Sequence, residues 1–239
     1  MISYMTKKGA YMNLLEQTQQ QIEKMILNKE YDENNYLPSE GELCKKFEVS
    51  RATVREAVRS MEVRGFLKRV HGKGLQVIDN SVKVMTRSIA DMISLRDCDL
   101  SELIEVRRII EVEAARLAAD RADEQDLEQL RKSLAVMENT EVMDDNYYHN
   151  DLEFHVNLVK ASKNNMLSAI VSAYTPLLWD VVVASSQTNY CIERRHHFHR
   201  DVYDCIVKRE PDAAAEKMRI HLRATSENVE TYQKNGERK

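Results

Sequence analysis

Apolar positions recur every three or four residues along most of the chain, the spacing of amphipathic helices. Leu15, Ile22, Met25 and Ile26 form one such stripe and predict a first helix from about Asn13 to Lys29. A polar loop from Asp32 to Tyr36 follows, and Leu37-Pro38 favours extended backbone because a proline ring crowds the residue before it. Ser39 and Glu42 are spaced as a capping box, which opens a short helix to about Phe47. Ser50 caps a third helix, Arg51 to Arg64, and Gly65 stops it. Val54, Ala57, Val58 and Met61 mark the face of that helix that turns inward. The pattern then shortens to two β-like runs, Phe66–Val70 and Leu75–Ile78, joined by His71-Gly-Lys-Gly74. Helical spacing returns at about Leu100–Arg121, Glu124–Met137, Asn146–Ala161, Asn165–Ser186, Ile192–Lys208 and Asp212–Gln233. Asp123 caps one of these helices, and Pro211 opens another.

Composition sharpens this division. The 239 residues include only six glycines, four of them between Gly41 and Gly74, and none from Leu75 to Asn235. Tight turns between strands need the positive φ that glycine supplies, so the long glycine-free stretch is helices joined by short turns. The expected fold is mainly α: an N-terminal winged helix-turn-helix with a small β-hairpin wing, then an antiparallel all-α bundle. The expected organisation is an N-terminal tail over 1–12, a DNA-binding unit over 13–79, a linker over 80–90 and an all-helical domain over 91–235, with a frayed tail from Gly236. The longest apolar run, Pro176–Ala184, is interrupted by Asp180 and falls far short of the roughly 18 residues that span a bilayer. Residues 1–12 are polar and lack the apolar segment of a signal peptide. Cys44, Cys98, Cys191 and Cys205 are scattered without a CxxC pair, which gives neither a disulfide framework nor a thiolate metal site. The expected compartment is the cytoplasm, with no membrane contact.

Charge adds a candidate chemistry to the first unit. The whole chain carries a formal charge of −4, yet Lys45–Lys73 holds nine basic residues against three acidic ones. Arg51, Thr53, Arg55 and Arg59 lie off the apolar stripe of the third helix, as on a recognition helix whose N-terminal residues meet base edges in the major groove. The alternative for three arginines is a solvated face. The capping box, turn, glycine stop and basic hairpin tip, in this order, argue against it. Leu37-Pro-Ser-Glu40, Val49-Ser-Arg-Ala-Thr-Val-Arg-Glu-Ala57, Gly65-Phe-Leu67 and His71-Gly-Lys-Gly74 resemble the GntR-family winged helix. The resemblance implies that Arg51, Thr53 and Arg55 contact double-stranded operator DNA in the major groove, and that His71 and Gly72 approach the minor groove. The chain departs from many relatives at Gly41, where they carry an arginine, and at Ala52, where some carry a threonine.

Six of the seven histidines fall in the helical half. Asp151 and His155 are four apart and share a helix face. With His199 and His221 they would make an oxygen-plus-three-nitrogen set suited to zinc, nickel, manganese or iron. Spacing alone leaves packed or surface histidines as the alternative. Glu105-Val-Arg-Arg-Ile-Ile-Glu111 with Leu117-Ala-Ala119, Asp151-Leu-Glu-Phe-His155 with Ala161-Ser-Lys-Asn164, and His199 with Ala214 and Met218-Arg-Ile-His-Leu222 resemble the FCD effector domain of the FadR subfamily. The resemblance implies that Asp151, His155, His199 and His221 bind a divalent metal, zinc first, and that a small carboxylate effector completes its shell. His196 and His197 are then flanking and exposed. Arg107 matches a position from which relatives reach the effector, and its alternative is a surface ion pair with Glu111.

Together these readings predict a ligand-responsive transcriptional regulator, a repressor in its commoner polarity, bound as a homodimer to an inverted repeat. A metal sensor with the ion itself as effector is the second reading. A metalloenzyme fits poorly: there is no HExxH motif, and Glu193-Arg-Arg-His196 is a single ExxH where a di-iron bundle needs two.

Overall fold

The computed structural model describes residues 13–96, 100–140, 143–186 and 189–236. The expected tail over 1–12 lies outside them, as does Cys98. Of the expected terminal tail, 237–239 lie outside too, while Gly236 is the last residue of a helix. The chain divides into two compact units, 1–85 and 86–239.

In the first unit, helix α1 (Leu14–Leu27) packs on α3 (Arg51–Val63), with α2 (Glu40–Phe47) against α3 as well. Ile22, Met25, Leu43, Val54, Ala57, Val58 and Met61 form the core between them. The capping boxes of α1 and α2 are made as the spacing requires: Asn13 with Glu16, and Ser39 with Glu42. Strand β1 (Tyr36–Leu37) joins the hairpin β2 (Leu67–Val70) and β3 (Gly74–Val77) in an antiparallel sheet of order β1-β3-β2. The third strand is an addition to the expected hairpin. The Leu37-Pro38 extension pairs Leu37 with Leu75, and both side chains enter the core. Gly65 ends α3 at φ +79°, and a Cβ there would sit 3.0 Å from Val84 Cγ2 and 3.1 Å from the Asn80 carbonyl.

Of the segment 80–90, expected as a linker, residues 81–90 form the first part of helix α4 (Ser81–Arg96).

The second unit is an all-helical bundle of α5 (Leu100–Arg121), α6 (Glu124–Glu138), α7 (Asp145–Ala161), α8 (Asn165–Tyr174), α9 (Trp179–Ser186), α10 (Asn189–Val207) and α11 (Pro211–Gly236). Helix α5 packs on α11 and α7, α6 on α7, and α10 on α11. Asp123, Asp144 and Asn164 cap α6, α7 and α8. Arg209, at φ +59°, donates to the carbonyls of Ala119 and Ala122 at the C-terminal end of α5, acceptors that helix geometry leaves open. The expected single helix Asn165–Ser186 is broken by a 3-10 turn at Thr175–Leu178, where Pro176 lacks the N–H that a continuous helix needs. Asn165–Ser186 is long and apolar enough to cross a membrane by composition. Here it serves as a core element, because Val171, Ala173, Tyr174, Leu178 and Val181 are buried in the bundle.

Candidate functional site

Two sets of chemistry-bearing residues stand out, one exposed and one buried. On α3, Arg51, Arg55 and Arg59 are exposed on the side away from the core stripe. Ser50 caps the helix by accepting the Thr53 N–H at 3.2 Å, and its hydroxyl lies 2.9 Å from the Thr53 hydroxyl. The cap thus fixes the first turn, from which Arg51 and Thr53 project. The guanidinium of Arg55 is not free: its Nε donates to Glu40 Oε2 at 3.2 Å. At the turn of the hairpin His71, Gly72 and Lys73 are exposed, with Gly72 at φ +73°.

The second set lies inside the bundle. His155 on α7, His199 on α10 and His221 on α11 are all buried and turn their Nε2 atoms toward one another. His155 Nε2 is 3.3 Å from His199 Nε2 and 3.1 Å from His221 Nε2. Asp151, one turn before His155, is buried too, and its Oδ1 lies 3.4 Å from His199 Nε2. It stands outside the tight three-histidine group. His197 is exposed, and the side chain of His196 lies outside the described residues. Ligands around one divalent ion at metal–nitrogen bonds of about 2.0–2.1 Å stand roughly 2.9–3.4 Å apart, so these donor spacings fit a shared cation.

Behind His155 stands Glu111 of α5, fully buried. Its Oε2 lies 2.7 Å from His155 Nδ1, a close contact that is not aligned as a hydrogen bond. A carboxylate beside Nδ1 favours the proton on that nitrogen and leaves Nε2 as the lone-pair donor. Glu111 also takes the Arg107 guanidinium at 2.9 Å and accepts the Tyr174 hydroxyl at 3.1 Å. Burial opposes ionisation of Glu111, but Arg107 and His155 outweigh it and hold the carboxyl at about 2. Burial and the neighbouring Glu111 carboxylate push the Tyr174 hydroxyl well above its ordinary range, so Tyr174 stays a neutral donor. For Arg107, burial disfavours the charge and Glu111 more than restores it. The Arg107–Glu111 pair, expected at most as a surface contact, is therefore a core feature.

Next to the histidines is a cavity of about 20 Å³, lined by Arg107, Asp151, Ser185, Phe198, His221, Thr225 and other residues. That volume holds about one water molecule.

Comparison with known proteins assigns both units. Residues 14–77 match the family described as bacterial regulatory proteins, gntR family, and residues 102–224 match the FCD domain. The chain belongs to the GntR family. It is a DNA-binding transcriptional regulator with an FCD effector domain, and not an enzyme. It is 26% identical over 215 residues to the HTH-type transcriptional regulator LutR of Bacillus subtilis, covering 87% of this chain and 97% of that protein. It is 29% identical over 224 residues to the HTH-type transcriptional repressor NanR of Citrobacter rodentium, covering 89% and 84%. The Glc operon transcriptional activator of Escherichia coli is 28% identical over 227 residues, covering 90% and 88%. Among solved structures, Streptococcus agalactiae GntR superposes with a TM-score of 0.74 at 27% identity, over 89% of this chain and 99% of that one.

For this GntR-family chain, sequence reasoning named Asp151 and the three histidines, and the fold brings them together. It missed Glu111 as the centre of the buried network, and it missed the cavity residues Ser185 and Thr225. The local sequence does not single Glu111 out, because Glu113 in the same stretch Ile109–Ala115 is exposed.

Proposed function

We propose that the FCD domain holds a divalent metal through Asp151, His155, His199 and His221, and that a small organic acid acting there modulates operator binding. The observation that carries this reading is the convergence of three buried histidine Nε2 atoms, within 3.1–3.3 Å of His155, beside a buried aspartate. A bound cation would act as a Lewis acid that fixes a carboxylate or hydroxyl of the effector. Arg107, on the cavity wall, gives Nε and Nη2 to Glu111, so it is its Nη1 side that would meet an effector carboxylate. Zinc suits the donor set best, with nickel, manganese or iron next. Arg51, Thr53 and Arg55 read the major groove, and His71 and Gly72 approach the minor groove. The protein acts in the cytoplasm as a homodimer on an inverted repeat, since two-fold symmetry in the protein is matched by two-fold symmetry in the site. Of the named relatives, NanR is a repressor and the Glc operon regulator an activator. For this chain we adopt repression relieved by the effector.

A cavity of about 20 Å³ favours a second reading, in which the metal alone is the effector, because that space admits one water and no organic acid without movement. One experiment separates the two. Metal-replete and chelator-stripped protein are screened by thermal shift against sugar acids, hydroxy acids and dicarboxylates, with metal content measured in parallel. Native-state binding at a hundred times Kd stabilises by about 2.7 kcal/mol. An acid whose shift vanishes on stripping supports the metal-bridged effector. Stabilisation by metal alone supports the sensor. If His155→Ala and His221→Ala retain full metal stoichiometry, the ligand assignment fails.

A further inference from the structure

We propose that Glu40 is a specificity-determining positioning residue for operator binding: it holds Arg55 in its reading geometry, while its charge weakens binding to DNA of any sequence. The inference rests on Arg55 facing DNA, as above, and adds the residue that aims it. Glu40 is the first residue of α2 and is held there by the Ser39–Glu42 capping box. Its two carboxylate oxygens are split between two elements: Oε2 takes Arg55 Nε of α3 at 3.2 Å, and Oε1 takes Arg69 Nη1 of β2 at 2.7 Å. Arg69 is fixed in turn by Glu62, which accepts its Nε and its backbone N–H, both at 3.1 Å. One carboxylate thus ties the start of α2, the recognition helix and the hairpin. Glu40 is only 24% exposed, whereas Arg55 is 66% exposed.

The geometry separates two effects of the same charge. A carboxylate on Nε orients the plane of the guanidinium while the Nη atoms remain for a two-point contact with guanine N7 and O6. Ordering a long side chain before binding lowers the entropy cost of the specific complex. The same negative charge stands between Arg55 and Arg69 and reduces the attraction of any phosphate backbone, whatever its sequence. Removing the charge should therefore shift specific and non-specific binding in opposite directions, which a residue that merely stabilises the fold would not do.

The test uses the full chain and two duplexes: the one most enriched by the wild-type protein from a randomised pool, and a scrambled duplex of equal length. Glu40→Gln should bind the scrambled duplex tighter and the selected duplex weaker, each by about three- to tenfold at fixed salt. In an Arg55→Ala background only the charge effect is left, so Glu40→Gln should tighten the scrambled and the selected duplex alike. Glu40→Asp, which retains the charge, should leave the scrambled affinity near wild type. If both duplexes tighten together, the carboxylate acts only as a charge. If neither changes, the pair is a spectator. Either result overturns the proposal. If Arg55→Ala alone leaves the selected duplex bound as tightly as wild type, the placement of Arg55 on DNA fails instead, and the two failures are told apart.

Discussion

The two units of this regulator handle polar chemistry in opposite ways. In the first, the arginines proposed to meet DNA stand outside a core that is apolar apart from Thr18: Ile22, Val54 and Met61 are inside, Arg51 and Arg55 outside. In the second, Arg107, Glu111, Asp151 and three histidines lie within the bundle. A solvated cation costs the fold little, so a DNA-reading face can be altered one residue at a time. A buried cluster must be satisfied from all sides, since an unpaired charge in the interior costs several kcal/mol. Stability and ligand chemistry are separable in one unit and shared in the other.

Breaking the buried network offers the sharpest test of that contrast. Glu111→Ala leaves the Arg107 guanidinium buried without its partner and should cost about 3–5 kcal/mol. Trp179, the single tryptophan, lies in the second unit and reports this loss by urea unfolding. A loss below about 1 kcal/mol would erase the distinction between the units. In the first unit, Arg51→Ala and Arg55→Ala should each weaken operator binding by about 1–3 kcal/mol in fluorescence anisotropy. The Trp179 unfolding midpoint should not move. Smaller again is the cap of α2: Ser39→Ala should lower helical stability by about 1 kcal/mol, measured by thermal circular dichroism. At the bottom of the scale is the exposed Glu128–Arg131 pair of α6, whose removal by Glu128→Ala should leave the unfolding curve unchanged within error.

The same contrast decides what was legible in the sequence. The first unit is written locally. Ser39 and Glu42 make a cap three residues apart, Gly65 stops a helix, and Gly72 and Gly74 mark a turn, so short-range rules suffice. The third strand escaped because Tyr36–Leu37 needs Gln76 and Leu75 to pair with. In the second unit the helices follow from periodicity. The break at Thr175–Leu178 was signalled by Pro176 and overridden by the apolar run around it. The buried cluster is harder to read because its partners are distant: Glu111 meets Tyr174 63 residues away, and His155 meets His221 66 residues away. Spacing places Asp151 beside His155 but says nothing of which face turns inward, and it renders Arg107–Glu111 as an ordinary helical pair.

The small size of the cavity also bears on time. Under the proposed effector reading, a space of about 20 Å³ is too small for an organic acid, so the side chains around it would have to move apart to admit one. Association would then saturate with rising effector concentration, its ceiling set by the opening rate of the helices around Phe198 and Thr225 rather than by diffusion. Under that scheme the delay between the arrival of a metabolite and the release of DNA belongs to the protein, and mutations that loosen the cavity wall would quicken the response without adding a contact.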